Sequence, residues 1–436
     1  MFCRTRARLV GLACLCCCLP ATAQAPKPPK PKAVFEVLQP DLTQPLVGTI
    51  HVRVKITTDL EPEKHVCSAA YASLGGAPLS RLTRIADTYE WEGDLDTTQF
   101  PSGAQKLQIN AKMPGLWDCT GRLDCVVGNP LKVYFGDLHA HTSYSDGQQL
   151  PSDAFKYARE VAKVDFLILT DHLEIVDARE WADLREQALK ANEDGKFVAF
   201  PGLEWTKQLG HINLFDPPGR VWPSDLEGLY QAGAKTDMIG QFNHIGFPTD
   251  DCWEKHRYSP EADGWMKLME VRSPKEEAGF IQALKLGWHL APTSTDDTHS
   301  PNWGNAGRWT GVLMPSLSRV NLWEALKARH CYSSLDRNCE LSFTLNGTVM
   351  GEIIPGAATS AQLQVMVNDP DAEDKITALD LFEDGQIVET RELGATHGEW
   401  AVERKPAAGE HYYFVRVTQA DGQRLWSAPI WVTIGG

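Results

Sequence analysis

Between residues 131 and 335 short apolar runs alternate with helical stretches, and this alternation constrains the fold more than any other feature. The runs are 133–135, 166–169, 197–200, 238–242, 265–271, 289–291 and 311–314. The stretches between them carry helix punctuation. Pro151-Ser152-Asp153 opens one helix, 275–286 closes on Gly287, and Ser318 starts 319–329. Seven strand-then-helix units predict an α/β fold with a parallel barrel, and an open doubly wound sheet is the structural alternative.

The flanks read differently. From 33 to 130 the runs are short and alternate at period two, as in Thr49-Ile50-His51-Val52-Arg53-Val54-Lys55-Ile56. That spacing predicts an immunoglobulin-like β-sandwich. Alternation returns over 336–436, with Asp421-Gly422 as a hairpin signal, and predicts a second β-sandwich. Arg4, Arg6 and Arg8 precede an apolar stretch over 9–19 and then Ala21, Ala23 and Ala25. This predicts a cleaved signal peptide over 1–25, hence a periplasmic or secreted protein, followed by a Pro/Lys linker over 26–32. A lipid anchor on Cys14, Cys16, Cys17 or Cys18 is the alternative, and no stretch is long enough to predict stable membrane insertion.

Five of the 11 cysteines lie in the signal segment. The remaining six, Cys67, Cys119, Cys125, Cys252, Cys331 and Cys339, allow three disulfides. Cys119–Cys125 and Cys331–Cys339 are the natural pairs by proximity, and free buried thiols are the alternative. A net charge of −15 argues against a nucleic-acid partner. The 14 tryptophans are scattered through strands and read as core rather than sugar platforms.

Metal-competent residues fall at the ends of the central runs. His139, His141 and Asp146 follow the first, His172 the second and Glu204 the third. His211 lies on a short extension over 211–215, His244 ends the fourth run, and Asp297 and His299 follow the sixth. Alternate residues on a strand share a face, so His139 and His141 can converge on one ion. Six imidazoles and three carboxylates suit Mn, Zn or Fe, and are too many for a single ion. His256, His289 and His330 fit no ligand position and read as core or surface.

Asp137-Leu138-His139-x-His141-Thr142, Ser145-Asp146-Gly147, Thr170-Asp171-His172, Glu204, Asn243-His244 and Asp297-x-His299 together resemble the PHP (polymerase and histidinol phosphatase) superfamily over 133–334. The stretch 295–304, Arg329-His330-Cys331-Tyr332 and Trp426-Ser427-Ala428-Pro429-Ile430-Trp431 resemble its exported branch with carbaryl-hydrolase-like proteins. The resemblance implies a distorted (β/α)7 barrel and two or three divalent metal ions. One would take His139, His141, Glu204 and Asp297; a second Glu204, His211 and His244; a third Asp146, His172 and His299. It also implies hydrolysis by a metal-bridging hydroxide, with His139, Glu204, Asp297 and His299 in the catalytic set. Asp137 and Asp171 are expected to orient ligand imidazoles. Arg272 and Arg308 are expected to hold a substrate anion, with structural ion pairing as the alternative. Three functions follow: a phosphoesterase on a small-molecule phosphoester, a carbamate, ester or amide hydrolase on the same site, or a non-catalytic metal-binding surface or scaffold protein.

Overall fold

The computed structural model describes residues 31–75, 78–100, 103–116, 119–207, 210–244 and 257–435. The expected signal peptide over 1–25, most of the expected linker over 26–32, Cys252 and His256 lie outside the described residues.

The N-terminal region is a seven-stranded sheet of β1 (Ala33–Gln39), β2 (Thr49–Thr58), β3 (Ala69–Leu74), β4 (Ser80–Arg84), β5 (Glu90–Asp96), β6 (Gly103–Lys112) and β7 (Thr120–Val127). Its order is β1-β2-β5-β4-β3-β6-β7. Alternation in β2 buries Val52, Val54 and Ile56 against Leu107 and Ile109 of β6, in a core of its own. The sheet rolls until Phe35 of β1 meets Gly121 of β7, where a side chain would collide with the Phe35 ring.

The central strands are β8 (Lys132–Asp137), β9 (Phe166–Leu169), β10 (Val198–Lys207), β11 (Gly210–Phe215), β12 (Ile239–Phe242), β13 (Met266–Glu270), β14 (Ala291–Thr293), β15 (Trp309–Met314) and β16 (Cys331–Ser334). Helices α1 (Pro151–Tyr157), α2 (Ala178–Ala191), α3 (Leu226–Gly233), α4 (Pro260–Asp263), α5 (Pro274–Lys285) and α6 (Arg319–Lys327) lie between them. After them come β17 (Glu340–Leu345), β18 (Thr348–Val349), β19 (Ile353–Ala358), β20 (Ala361–Asn368), β21 (Ile376–Glu383), β22 (Gln386–Ala395), β23 (His397–Arg404), β24 (Gly409–Gln419), β25 (Arg424–Ser427) and β26 (Ile430–Ile434).

The (β/α)7 barrel is not what forms. Strands hold 45% of the residues and helices only 17%, so the molecule is strand-dominated and sandwich-like. The central strands belong to an open, mixed 15-stranded sheet. The run 210–215 is a full strand that inserts antiparallel between β10 and β12. Its two-residue connection from β10 permits only that pairing. β15 runs antiparallel to both β8 and β16, and β16 pairs onward with β25. Both edges of β15 and β16 are therefore taken, and β14 is left with β13 as its only ladder partner. Contact from β14 back to β15 is made instead by Thr310, whose Oγ1 donates to the Ser294 carbonyl at 2.9 Å. The doubly wound alternative fails for the same reason, because too many neighbours are antiparallel.

The C-terminal strands continue this sheet through β25, β24, β21 and β22, and a four-stranded sheet β18-β17-β20-β23 faces it. Leu341, Phe343, Leu363 and Val365 share one core with Val415, Val417, Phe166 and Leu268. Cys67, Cys119, Cys125, Cys331 and Cys339 are buried thiols outside any disulfide, which overturns the two disulfides guessed from proximity. Cys119 and Cys125 are six residues apart along one extended segment, about 20 Å, far beyond disulfide reach.

Among the described residues no helix is long and apolar enough to cross a membrane. Trp205, Trp288, Trp303 and Trp426 are fully buried.

Candidate metal centre

The site forms because β8, β9, β10, β12, β13 and β14 all run the same way. Antiparallel β11 starts at the edge where those strands end, which brings His211 opposite Thr206 of β10. The segment after β8 is fastened to the segment after β14. The Asp297 N–H donates to the His139 carbonyl and the His141 N–H to the Thr298 carbonyl, each at 2.9 Å. Trp303 Nε1 donates to the His141 carbonyl at 2.9 Å from the buried side.

All nine ligand candidates come together. Glu204, 1% exposed, is the hub. Its Oε1 lies 3.3 Å from His139 Nε2, 3.0 Å from His211 Nδ1 and 3.4 Å from His244 Nε2. Its Oε2 lies 2.9 Å from His172 Nδ1 and 3.6 Å from His141 Nε2. Asp297 Oδ1 stands 3.2 Å from both His139 Nε2 and His141 Nε2. At the outer side, Asp146 Oδ1 is 3.2 Å from His299 Nε2 and 3.4 Å from His172 Nε2. Donors sharing an ion at about 2.1 Å stand about 3.0–3.4 Å apart, so these separations fit divalent metals without rearrangement. Three groups place one ligand atom from each residue within 4.8 Å of one another: His139, His141 and Glu204; Glu204, His211 and His244; and His141, Asp146, His172 and His299.

Electrostatics agree with an anionic nest lined by imidazoles. Burial opposes charge on Glu204, yet the surrounding imidazoles, His139 first, hold its carboxyl well below the usual range. Burial likewise opposes charge on Asp297, and His139 and His141 override it. Burial also opposes protonation of His139, but Asp297 and Glu204 raise its basicity well above normal. His244 and Asp297 both sit at positive φ, 30° and 50°. Non-glycine residues in that region concentrate where a fold over-determines a functional geometry.

Several expected roles change. Asp137 accepts the backbone N–H of His139 at 3.1 Å, not its ring. Asp171 accepts from Thr142 and, at 2.7 Å, from Ser145 Oγ, which in turn lies 3.4 Å from His141 Nδ1. The Asp171 carboxylate therefore reaches the His141 ring through Ser145. Arg272 does not face a substrate: it is buried between Glu270 and Glu276, at 3.3 and 2.9 Å. Arg308 is half-buried beside Asp296, whose carboxyl burial pushes up to about 6. His289 pairs with Asp263 and His330 with Glu352, away from the cluster. Glu270 is the residue the sequence reading missed. It is fully buried, and its Oε1 lies 2.8 Å from His139 Nδ1.

No protein-family model matches the chain. An uncharacterised protein of Chlamydia pneumoniae is 27% identical over 366 residues, covering 72% of this chain and 59% of that protein. One from Chlamydia muridarum is 26% identical over 393 residues, covering 76% and 62%. The chain thus spans about six-tenths of the length of the curated relatives it matches. Among solved structures, the fibronectin(III)-like modules of Clostridium thermocellum CbhA are 20% identical, covering 22% of this chain and 99% of theirs at a TM-score of 0.16. Bacteroides uniformis β-glucuronidase is 8% identical, covering 92% and 61% at a TM-score of 0.17.

Proposed function

We propose that the chain is a metal-dependent hydrolase whose favoured substrate class is a phosphoester. The observation that carries this is Glu204, one buried carboxylate within 3.6 Å of five imidazole nitrogens from four different segments. A structural role explains such a cluster poorly, because burying so many titratable groups is costly without a compensating ion. In this reading His139, His141, Glu204 and Asp297 hold one divalent ion and Glu204, His211 and His244 a second. Asp146, His172 and His299 hold a third; Mn, Zn and Fe suit this donor set. The motif order resembling the PHP superfamily supports the same partition. Ions held there would polarise a phosphoryl oxygen and acidify water. The chain keeps Glu204 and Asp297 ionised, fixes the imidazoles by buried hydrogen bonds, and presents His299 at the rim. The His299 side chain, 39% exposed, is the most open imidazole of the cluster.

A carbamate, ester or amide substrate is the second reading, favoured by the engagement of Arg272 with Glu270 and Glu276, which removes one expected phosphate contact. The test is a side-by-side screen of nitrophenyl phosphate, bis-nitrophenyl phosphate and naphthyl carbamate after reconstitution with Mn, Zn or Fe. Phosphoester turnover is expected. His139→Ala or Asp297→Ala should lower kcat/KM by about 100-fold or more, the scale of losing several kcal/mol of metal assistance. Turnover that survives both substitutions together rejects the mechanism. Carbamate turnover alone selects the second reading, and stoichiometric metal without turnover of any substrate selects a binding protein.

A further inference from the structure

Glu270 joins two parts of the cluster, the His139 ring and the His244 backbone. Its Oε1 meets the His139 ring at Nδ1, 2.8 Å away. Its Oε2 accepts the backbone N–H of His244, the residue held at φ 30°. Thr295 Oγ1 and Gln241 Nε2 also donate to Oε1, and the Arg272 guanidinium lies 3.3 Å from Oε2. Arg272 is itself gripped by Glu276 of α5 at 2.9 Å, so the carboxylate cannot swing away. Glu270 is 0% exposed and belongs to none of the three ligand groups.

We infer that Glu270 is a positioning residue that sets two of the metal positions at once, an inference that rests on the metal-centre reading. An acceptor at Nδ1 fixes the proton there and leaves Nε2 of His139 as the ligating atom, facing Glu204 and Asp297. The same carboxylate holds the backbone turn that aims His244 at Glu204. Among the described residues no hydrogen bond or ion pair links Asp146, His172 or His299 to Glu270. His172 is held instead by Thr206, whose Oγ1 lies 2.7 Å from its Nδ1, and by Glu204 Oε2 at 2.9 Å. Glu270 should therefore control the inner metal positions and leave the outer one alone.

Glu270→Gln separates these roles with little change in volume. A glutamine can accept from His139 or from the His244 N–H, but its amide nitrogen then opposes the other donor. The experiment titrates Zn²⁺ and Mn²⁺ into the chelated full chain against a chromophoric chelator, with naphthyl and nitrophenyl substrates assayed on the same samples. Glu270→Gln and Glu270→Ala should weaken the inner sites by about 10–100-fold, with the remaining site within about twofold of wild type. Glu277→Gln is the control. It removes a buried carboxylate from α5 that pairs with Arg416 and touches no ligand; it should bind metal like wild type. Wild-type metal affinity in both Glu270 variants overturns the inference and leaves the hydrolase reading standing. Equal weakening at every site, or the same weakening in Glu277→Gln, overturns it as well. Selective weakening with no turnover in wild type upholds Glu270 and rejects hydrolysis, and a wild type that binds no ion rejects both.

Discussion

Glu270 and Asp369 are both buried carboxylates, and their neighbours drive them in opposite directions. Burial opposes charge on Glu270, but Arg272 first and His139 next hold its carboxyl down to about 2. Asp369 has no such cation: burial pushes it up to about 6, and Asp336, Asp374 and Asp371 add to the rise. The consequences for stability have opposite sign. Glu270 contributes stability that is complete above its unfolded pKa of about 4.3 and is lost as pH falls towards 2. Asp369 contributes stability that is complete below about pH 4 and is lost as pH rises through about 6. Carbon-detected NMR titration of the carboxyl groups checks both. The expected Asp369 midpoint is near 6, and a midpoint below 4 shows that its neighbours do not act as drawn. Which of these residues a sequence reveals depends on spacing. His139-x-His141 and Asp297-x-His299 announce themselves because two donors share a face. Glu270 is one acid at the end of Met266–Glu270, and only the fold brings it to His139, 131 residues away. Arg272 takes the ion-pairing alternative, with a partner, Glu276, on the first turn of the following helix.

At the scale of elements, the site depends on how closely β8 and β9 approach. Gly136 of β8 faces Phe166 of β9, and a Cβ there would stand 2.3 Å from the Phe166 carbonyl oxygen. Backbone cannot retreat as a flexible side chain can, so Gly136→Ala must push the strands apart. It should destabilise the chain by about 1–3 kcal/mol and, three residues before His139, weaken metal binding in parallel. Denaturant unfolding with and without metal measures both, and an alanine variant of wild-type stability rejects the steric account. Strand positions were legible because apolar runs such as 166–169 are short and bounded. Strand direction was not. Whether β11 and β15 run with or against their neighbours is decided by connection length and by which edge is free, and the apolar pattern carries neither. The strand ends still gathered the ligands, because that needs only the parallel subset from β8 to β14.

For the whole molecule, the cores decide what unfolds together. The core around Leu138, Phe166 and Leu268 runs without a break into Leu341, Leu363 and Val417. The ladder between β16 and β25 and the Arg416 pair with Glu277, at 2.8 Å, cross the same boundary. Residues 336–436 thus read from sequence as a separate sandwich, but they share a sheet and a core with the segment that carries the ligands. The N-terminal sheet keeps a separate core around Val52, Val54 and Leu107. Its links to the centre include Ser316 Oγ and Asn321 Nδ2 donating to the Thr98 carbonyl, at 2.5 and 3.0 Å. Calorimetry of the chain should therefore show two transitions, since units with separate cores and thin interfaces unfold independently. Removing 31–128 should delete one transition and leave metal binding by the rest intact. Ending the chain at 335 should instead abolish folding of the ligand-bearing segment, because it strips β25 from β16 and uncovers half of a common core. A truncated chain ending at 335 that melts cooperatively and still binds metal would show that the shared core is dispensable.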